Sequence, residues 1–199
     1  MTEAEWIACN EPAQMYELLG VKVTERKRRL CECGLAQSTW IDRRCLPAIR
    51  SIEGFADGHM DASQLADHIR TLRSVRSRVP RQCEEESAIS LLLAAATGCS
   101  LSFSYMTFGP DTKARQLAVI RDILGNPFCP ITLDSEWLTL TVLRLANHIY
   151  DNRDFSTMPI LADALQDAGC DNEDILNHCR QPGEHVRGCW VVDLVLGKS

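Results

Sequence analysis

Five side chains able to bind a metal crowd the last third of this chain: Cys170, His178, Cys179, His185 and Cys189. Thiolate sulfur and imidazole nitrogen are donors that zinc prefers, and four of them around one ion make a tetrahedral centre. The Gln181-Pro182-Gly183 turn separates His178 and Cys179 from His185, so the chain can fold back on itself there. The donor types are more suggestive than their spacing. No pair has the C-x2-C separation of a recognisable zinc site, and His178 and Cys179 are neighbours that leave a helix on different sides. The bland alternative is a solvated histidine and buried thiols.

A thiol nucleophile is the other chemistry on offer. It needs a base against the sulfur, and His185 precedes Cys189 by one helical turn, although Gly188 between them weakens a helix. Cys31-Glu32-Cys33, with Cys45 twelve residues on, reads as buried thiols. Positions i and i+2 of a helix lie about 200° apart, and a redox pair takes the form C-x-x-C. Asp163 and Asp167, one turn apart, could hold a cation but read as a solvated helix face. There is no phosphate-binding glycine loop, no G-x-S-x-G and no H-E-x-x-H. The balance leans away from an enzyme, and no catalytic residue is assigned.

Arginine is the second feature with chemistry in it. Residues 22–81 carry 13 Lys or Arg against 7 Asp or Glu, a local net of +6, while the other 139 residues carry −12. The overall −6 is therefore a cancellation. Arg28, Arg29, Arg70, Arg73 and Arg76 are the candidate polyanion ligands, because a guanidinium fork meets phosphate or carboxylate at two points. Arg70, Arg73 and Arg76 follow one drifting helical stripe that could track a phosphate backbone. The competing expectation is that basic 22–81 packs on acidic 82–199 of the same molecule.

These groups need a scaffold, and its signals are helical. Thr2 with Glu5, and Asp61 with Gln64, are capping boxes. Helices are expected from Thr2 to about Asn10, from Asn10 and Pro12 to Gly20, from Thr24 to about Trp40, and from Pro47 to Asp57-Gly58. Others follow after Asp61, over 82–97 with Gly98 as stop, and from Pro110 to Leu124 with Gly125 as cap. Asp134 is read as the cap of a helix over 135–151, Met158-Pro159 as the start of one ending at Gly169, and Asp171 as the cap of a short one ending near Arg180. Residues 100–108 alternate polar and apolar, yet a lone strand has no partner, so a loop or irregular helix is expected. Cys189–Leu196 is valine-rich and is read as helix.

The expected fold is all-α, a multi-helix array of about ten helices, several of them short, forming one globular domain over 1–199. A chain of 199 residues with 45% hydrophobic content suffices for a core. Its first twenty residues carry four acidic groups and no Lys or Arg, unlike a secretory signal. No apolar run approaches the roughly 20 residues of a membrane span. A cytoplasmic location is expected, with the ten cysteines reduced and mostly buried.

Several segments carry a resemblance: Met1 to Trp6, basic Arg26 to Leu30 with Cys31 and Cys33, Gly125-Asn126-Pro127-Phe128 and Trp137. The most specific are Pro159 to Leu165 through Ala168-Gly169-Cys170, then His178-Cys179-Arg180, then His185-Val186-Arg187-Gly188-Cys189-Trp190-Val191-Val192-Asp193 to Gly197-Lys198. Together these resemble a group of small uncharacterised proteins present in many copies in planctomycete-type bacterial genomes. The resemblance implies a shared fold and a cytoplasmic home, and it transfers no catalytic residue. The first functional expectation is a non-enzymatic helical module that binds a protein partner. The alternatives are an arginine-faced binder of nucleic acid or another polyanion through 22–81, and a zinc-binding or thiol enzyme at the C-terminal Cys/His group. No cofactor other than zinc is in view.

Overall fold

The computed structural model describes residues 1–17, 23–39, 41–81, 83–99 and 108–198, and its fold is all-α. Eleven α-helices and no strand occur among the described residues. The contacts divide the chain into two compact units, Met1–Arg121 and Asp122–Ser199. No described helix is long and apolar enough to cross a membrane.

The first unit opens with α1 (Glu3–Ala8) and α2 (Pro12–Glu17). The Thr2/Glu5 capping box forms as its spacing requires. Four longer helices follow: α3 (Glu25–Gln37), α4 (Leu46–Ala56), α5 (Ala62–Arg76) and α6 (Glu84–Thr97). Thr24 caps α3 and Asp61 with Gln64 caps α5, while Gly98, at φ 75°, closes α6 in the left-handed conformation that glycine adopts without strain. Helix α3 packs on α4 and α6, and α5 packs on α4 and α6, enclosing Leu30, Leu35, Ile52, Leu72, Ile89 and Leu92. Each such side chain contributes about 1.5–3 kcal/mol on burial. The expected helix stop at Gly20, Trp40 and the alternating segment up to Thr107 lie outside the described residues. Helix α7 (Pro110–Leu124) ends at Gly125, as its cap glycine foretells.

The second unit differs from expectation at its start. Asp134 caps only a 3-10 turn, Ser135–Trp137, and α8 (Leu140–Asn152) begins afresh under Thr139, whose hydroxyl accepts from the Val142 N–H at 3.3 Å. One continuous helix over 135–151 would have denied Thr139 this capping role, and Thr139 adopts the extended backbone of an N-cap. Then come α9 (Met158–Asp167), α10 (Glu173–Arg180) and α11 (Trp190–Leu196). Helix α10 is capped by Asn172, one residue beyond the expected Asp171, because Asn172 Oδ1 accepts from the Ile175 N–H at 3.1 Å. The valine-rich C-terminal run is helical. Helices α8, α9, α10 and α11 pack each on the next, and α11 returns to α8. Val142, Ile149, Leu161, Leu165, Ile175 and Val191 fill the space between them.

Candidate metal centre

Two of the segments that meet in the second unit are the last turn of α10, carrying His178, and the link to α11, carrying His185 and Cys189. The link runs through Gly188, whose φ of 97° is open to glycine and strained for other residues. That reversal lets Cys189 follow His185 back toward α10. Arg187, in the link, and Lys198, beyond α11, lie over the ring of Tyr150 at 4.3 and 4.6 Å from its centroid and tie both ends of α11 to α8. The third contribution is Asp122, in the last turn of α7.

One oxygen of Asp122, the two imidazoles and the Cys189 sulfur lie within 4.8 Å of one another. Asp122 Oδ1 is 2.5 Å from His185 Nδ1 and 3.1 Å from His178 Nε2. Cys189 Sγ is 3.2 Å from His178 Nε2 and 3.9 Å from His185 Nδ1. The Val186 N–H donates to Asp122 Oδ2 at 2.9 Å, which leaves Oδ1 directed at the cluster. Asp122 is 4% exposed, His178 9% and Cys189 0%. Trp190 covers one side, its ring centroid 5.1 Å from that of His178. Gly125 gives Trp190 room, since a Cβ there would come within 3.0 Å of the indole.

Charge and burial oppose each other at this centre. Burial raises the Asp122 pKa, but hydrogen bonds from His178 and His185 outweigh it and hold the carboxyl below its usual range. The Cys189 thiol is pushed well above its usual value by burial and by the Asp122 charge. As a free thiol it is a poor nucleophile.

The direction of approach separates two kinds of chemistry. A nucleophilic triad puts the thiol on one imidazole nitrogen and the orienting acid on the other. Here Asp122 and Cys189 both face Nε2 of His178, and both face Nδ1 of His185. Each ring turns one nitrogen toward the same oxygen and the same sulfur, an arrangement that could hold a metal ion. Bonds of about 2.0–2.3 Å to a tetrahedral zinc ion place ligand atoms about 3.3–3.6 Å apart. Of the four separations between an imidazole nitrogen and Asp122 Oδ1 or Cys189 Sγ, three lie within a few tenths of that range and the Asp122–His185 pair would open by under ~1 Å, while the ligand atoms as a set lie within 4.8 Å of one another.

Of the five metal candidates in the sequence, the structure brings His178, His185 and Cys189 together. Cys170 and Cys179 are not in the group; both are buried in the apolar core of the second unit. Cys179 follows His178 directly on α10, so the helical turn that aims the histidine at the cluster aims the cysteine elsewhere. Burial, then the nearby Asp122 charge, pushes its thiol up to about 12.

The arginine candidates divide similarly. Arg28 and Arg29 both have partners within the protein. Arg28 pairs with Glu25 at 2.8 Å and Glu32 at 2.5 Å. Arg29 is buried, bonded to the Ala95 carbonyl and to Glu25, and lies over the Phe55 ring. Acidic neighbours one helical turn away, Glu25 before them and Glu32 after Arg28, and the reach to α6 engage both forks. Arg70 is exposed and pairs with Asp67, and Arg76 pairs with Glu86 at 3.2 Å. Arg73 lines a cleft with Arg76.

Sequence reasoning missed Asp122, the residue that completes the centre. Its signal is positional. It stands among the buried positions Val119, Ile120 and Ile123, and at the C-terminal end of a helix, where the backbone dipole disfavours negative charge. An acid placed there needs a cation or strong donors.

No protein-family model, no curated protein and no solved structure matches this chain.

Proposed function

We propose that the second unit is a zinc-binding helical module in which Asp122, His178, His185 and Cys189 hold one ion. The observation that carries this reading is the convergence of both histidines, each through a single nitrogen, on the same carboxylate oxygen and the same sulfur. Oxygen, nitrogen and sulfur donors in one small cluster suit zinc, whereas calcium and magnesium take oxygen ligands. The side-chain amide of Gln181 lies 3.4 Å from Nδ1 of His178. Turned to present its oxygen, it accepts the Nδ1–H and leaves the Nε2 lone pair to the metal.

Four protein donors with little exposure make a closed site, and closed sites are structural ones. The ion acts as a cross-link joining the end of α7, the last turn of α10 and the start of α11. Its binding free energy then enters the folding free energy of the unit. Thiol catalysis has less support, because the imidazole nitrogens that face the sulfur also face Asp122, and burial with the Asp122 charge holds the thiol protonated. Metal analysis of the full chain tests the reading. One zinc equivalent per chain, lost in Cys189→Ser and His178→Ala but kept in Cys179→Ala, is expected. Metal well below one equivalent after exposure to zinc overturns it.

A further inference from the structure

In the first unit, α5, residues 77–81 and α6 line an open cleft of about 830 Å³. Arg73 and Arg76 reach it from the last turn of α5, Arg81 from the connection, and Glu86 and Thr97 from α6. We propose that this cleft binds a small molecule bearing a phosphate group, held by the forks of Arg73, Arg76 and Arg81. The proposal is independent of the metal centre, which lies in the other unit.

Arginines of this unit are used in two ways: Arg43, Arg50, Arg78 and Arg115 have no ion pair among the described residues, and several others are committed to one. Arg26 pairs with Asp57, Arg28 with Glu25 and Glu32, Arg44 with Asp42 and Arg70 with Asp67. In the cleft Arg76 shares Glu86 at 3.2 Å, while Arg73 and Arg81 have no ion pair among the described residues. Three cations thus line one concavity against a single carboxylate. Cations in the last turn of a helix suit its dipole, which accounts for Arg73 and Arg76 as far as α5 is concerned. It does not account for Arg81, which lies beyond the helix.

The donors present select the ligand. Guanidinium groups meet phosphate oxygens in two-point geometry, and several around one group recognise a doubly charged anion better than a singly charged one. The Ser77 and Thr97 hydroxyls donate to the Ser74 and Leu93 carbonyls at 2.9 and 2.7 Å, so they are committed to their own helices. Val79 and Leu93 supply an apolar wall for the body of the molecule. The volume is that of a small-molecule site. A nucleic-acid strand fits less well. The unit carries 16 basic and 15 acidic residues, a net of +1, and Arg70, the next member of the stripe, is paired with Asp67. A backbone-tracking surface needs a longer run of free cations.

Calorimetric titration of the full chain with pyrophosphate and with adenosine monophosphate is the test. One site per chain is expected, weakened about tenfold or more by Arg73→Ala and by Arg81→Ala. Arg70→Ala, outside the cleft, leaves binding unchanged, and Arg73→Lys weakens it by less than Arg73→Ala does. All three positions are exposed, and an unchanged melting curve shows that each variant folds. Absence of millimolar binding of both probes overturns the proposal. So does wild-type affinity in the Arg73→Ala/Arg81→Ala double variant. Tight binding of a single-stranded oligonucleotide that pyrophosphate does not displace overturns it in favour of nucleic acid.

Discussion

If one zinc ion cross-links α7, α10 and α11, then removing it must cost stability that can be calculated. A ligand that binds only the folded state stabilises it by about 2.7 kcal/mol at a free concentration of one hundred times its dissociation constant. For domains of 60–100 residues, each kcal/mol moves the melting midpoint by about 4–8 °C. The unit Asp122–Ser199 falls in that size range, so zinc is expected to raise its midpoint by about 10–20 °C over the chelated protein. Circular dichroism melts of the full chain, with excess zinc and with a chelator, provide the assay. Asp122→Ala removes one donor and leaves the two histidines facing the sulfur alone, so the zinc-induced rise should shrink to a few degrees. His148→Ala, an exposed histidine paired with Asp154, serves as the control and should keep the full rise. Equal midpoints with zinc and chelator in the wild-type chain, or an undiminished rise in Asp122→Ala, would refute the reasoning.

Further outcomes follow from the same structure. Glu32 is buried with Oε2 unpartnered, and burial raises its pKa to about 7 although Tyr16 and Arg28 both donate to Oε1. Because the folded value lies above the unfolded one, the proton stabilises the fold fully below about pH 4.5, and this contribution is lost as the pH rises through 7. Between pH 5.5 and pH 8 the loss is about 2 kcal/mol. Urea denaturation should therefore show wild type weakening over that interval and Glu32→Gln holding level; parallel slopes in the two chains would contradict this. Gly125→Ala places a Cβ 3.0 Å from the Trp190 ring at a backbone φ of 60°. It should destabilise the second unit by about 1–3 kcal/mol in the same assay. Cys179→Ala removes a buried sulfur from the core and should cost about 1–2 kcal/mol while leaving zinc stoichiometry intact. Loss of zinc in that variant would place Cys179 among the ligands.

The helices were largely legible because their punctuation is local. Thr2, Thr24, Asp61, Gly98 and Gly125 act where their types and neighbours say they should. The expectation failed between 134 and 140, where Asp134 and Thr139 both satisfy the rules for a cap and only packing decides how the helix is divided. The candidate metal centre was half legible. His178, His185 and Cys189 lie within twelve residues of one another and carry donors of the right kind. Asp122 lies 56 residues before His178, and nothing local links the two. Cys170 and Cys179 show the converse limit, since donor type does not reveal which way a side chain points. The engagement of Arg29 was illegible for a similar reason: its partner, the Ala95 carbonyl, is 66 residues away.

X-ray absorption at the zinc edge tests the central claim most directly, because it reads the donor set itself. Asp122, His178, His185 and Cys189 predict a four-coordinate ion with one sulfur at about 2.3 Å and three nitrogen or oxygen neighbours at about 2.0–2.1 Å, with imidazole outer-shell scattering. The sulfur contribution should vanish in Cys189→Ser and persist in Cys179→Ala. Two or more sulfurs, or a six-coordinate shell of oxygen and nitrogen alone, would contradict the assignment.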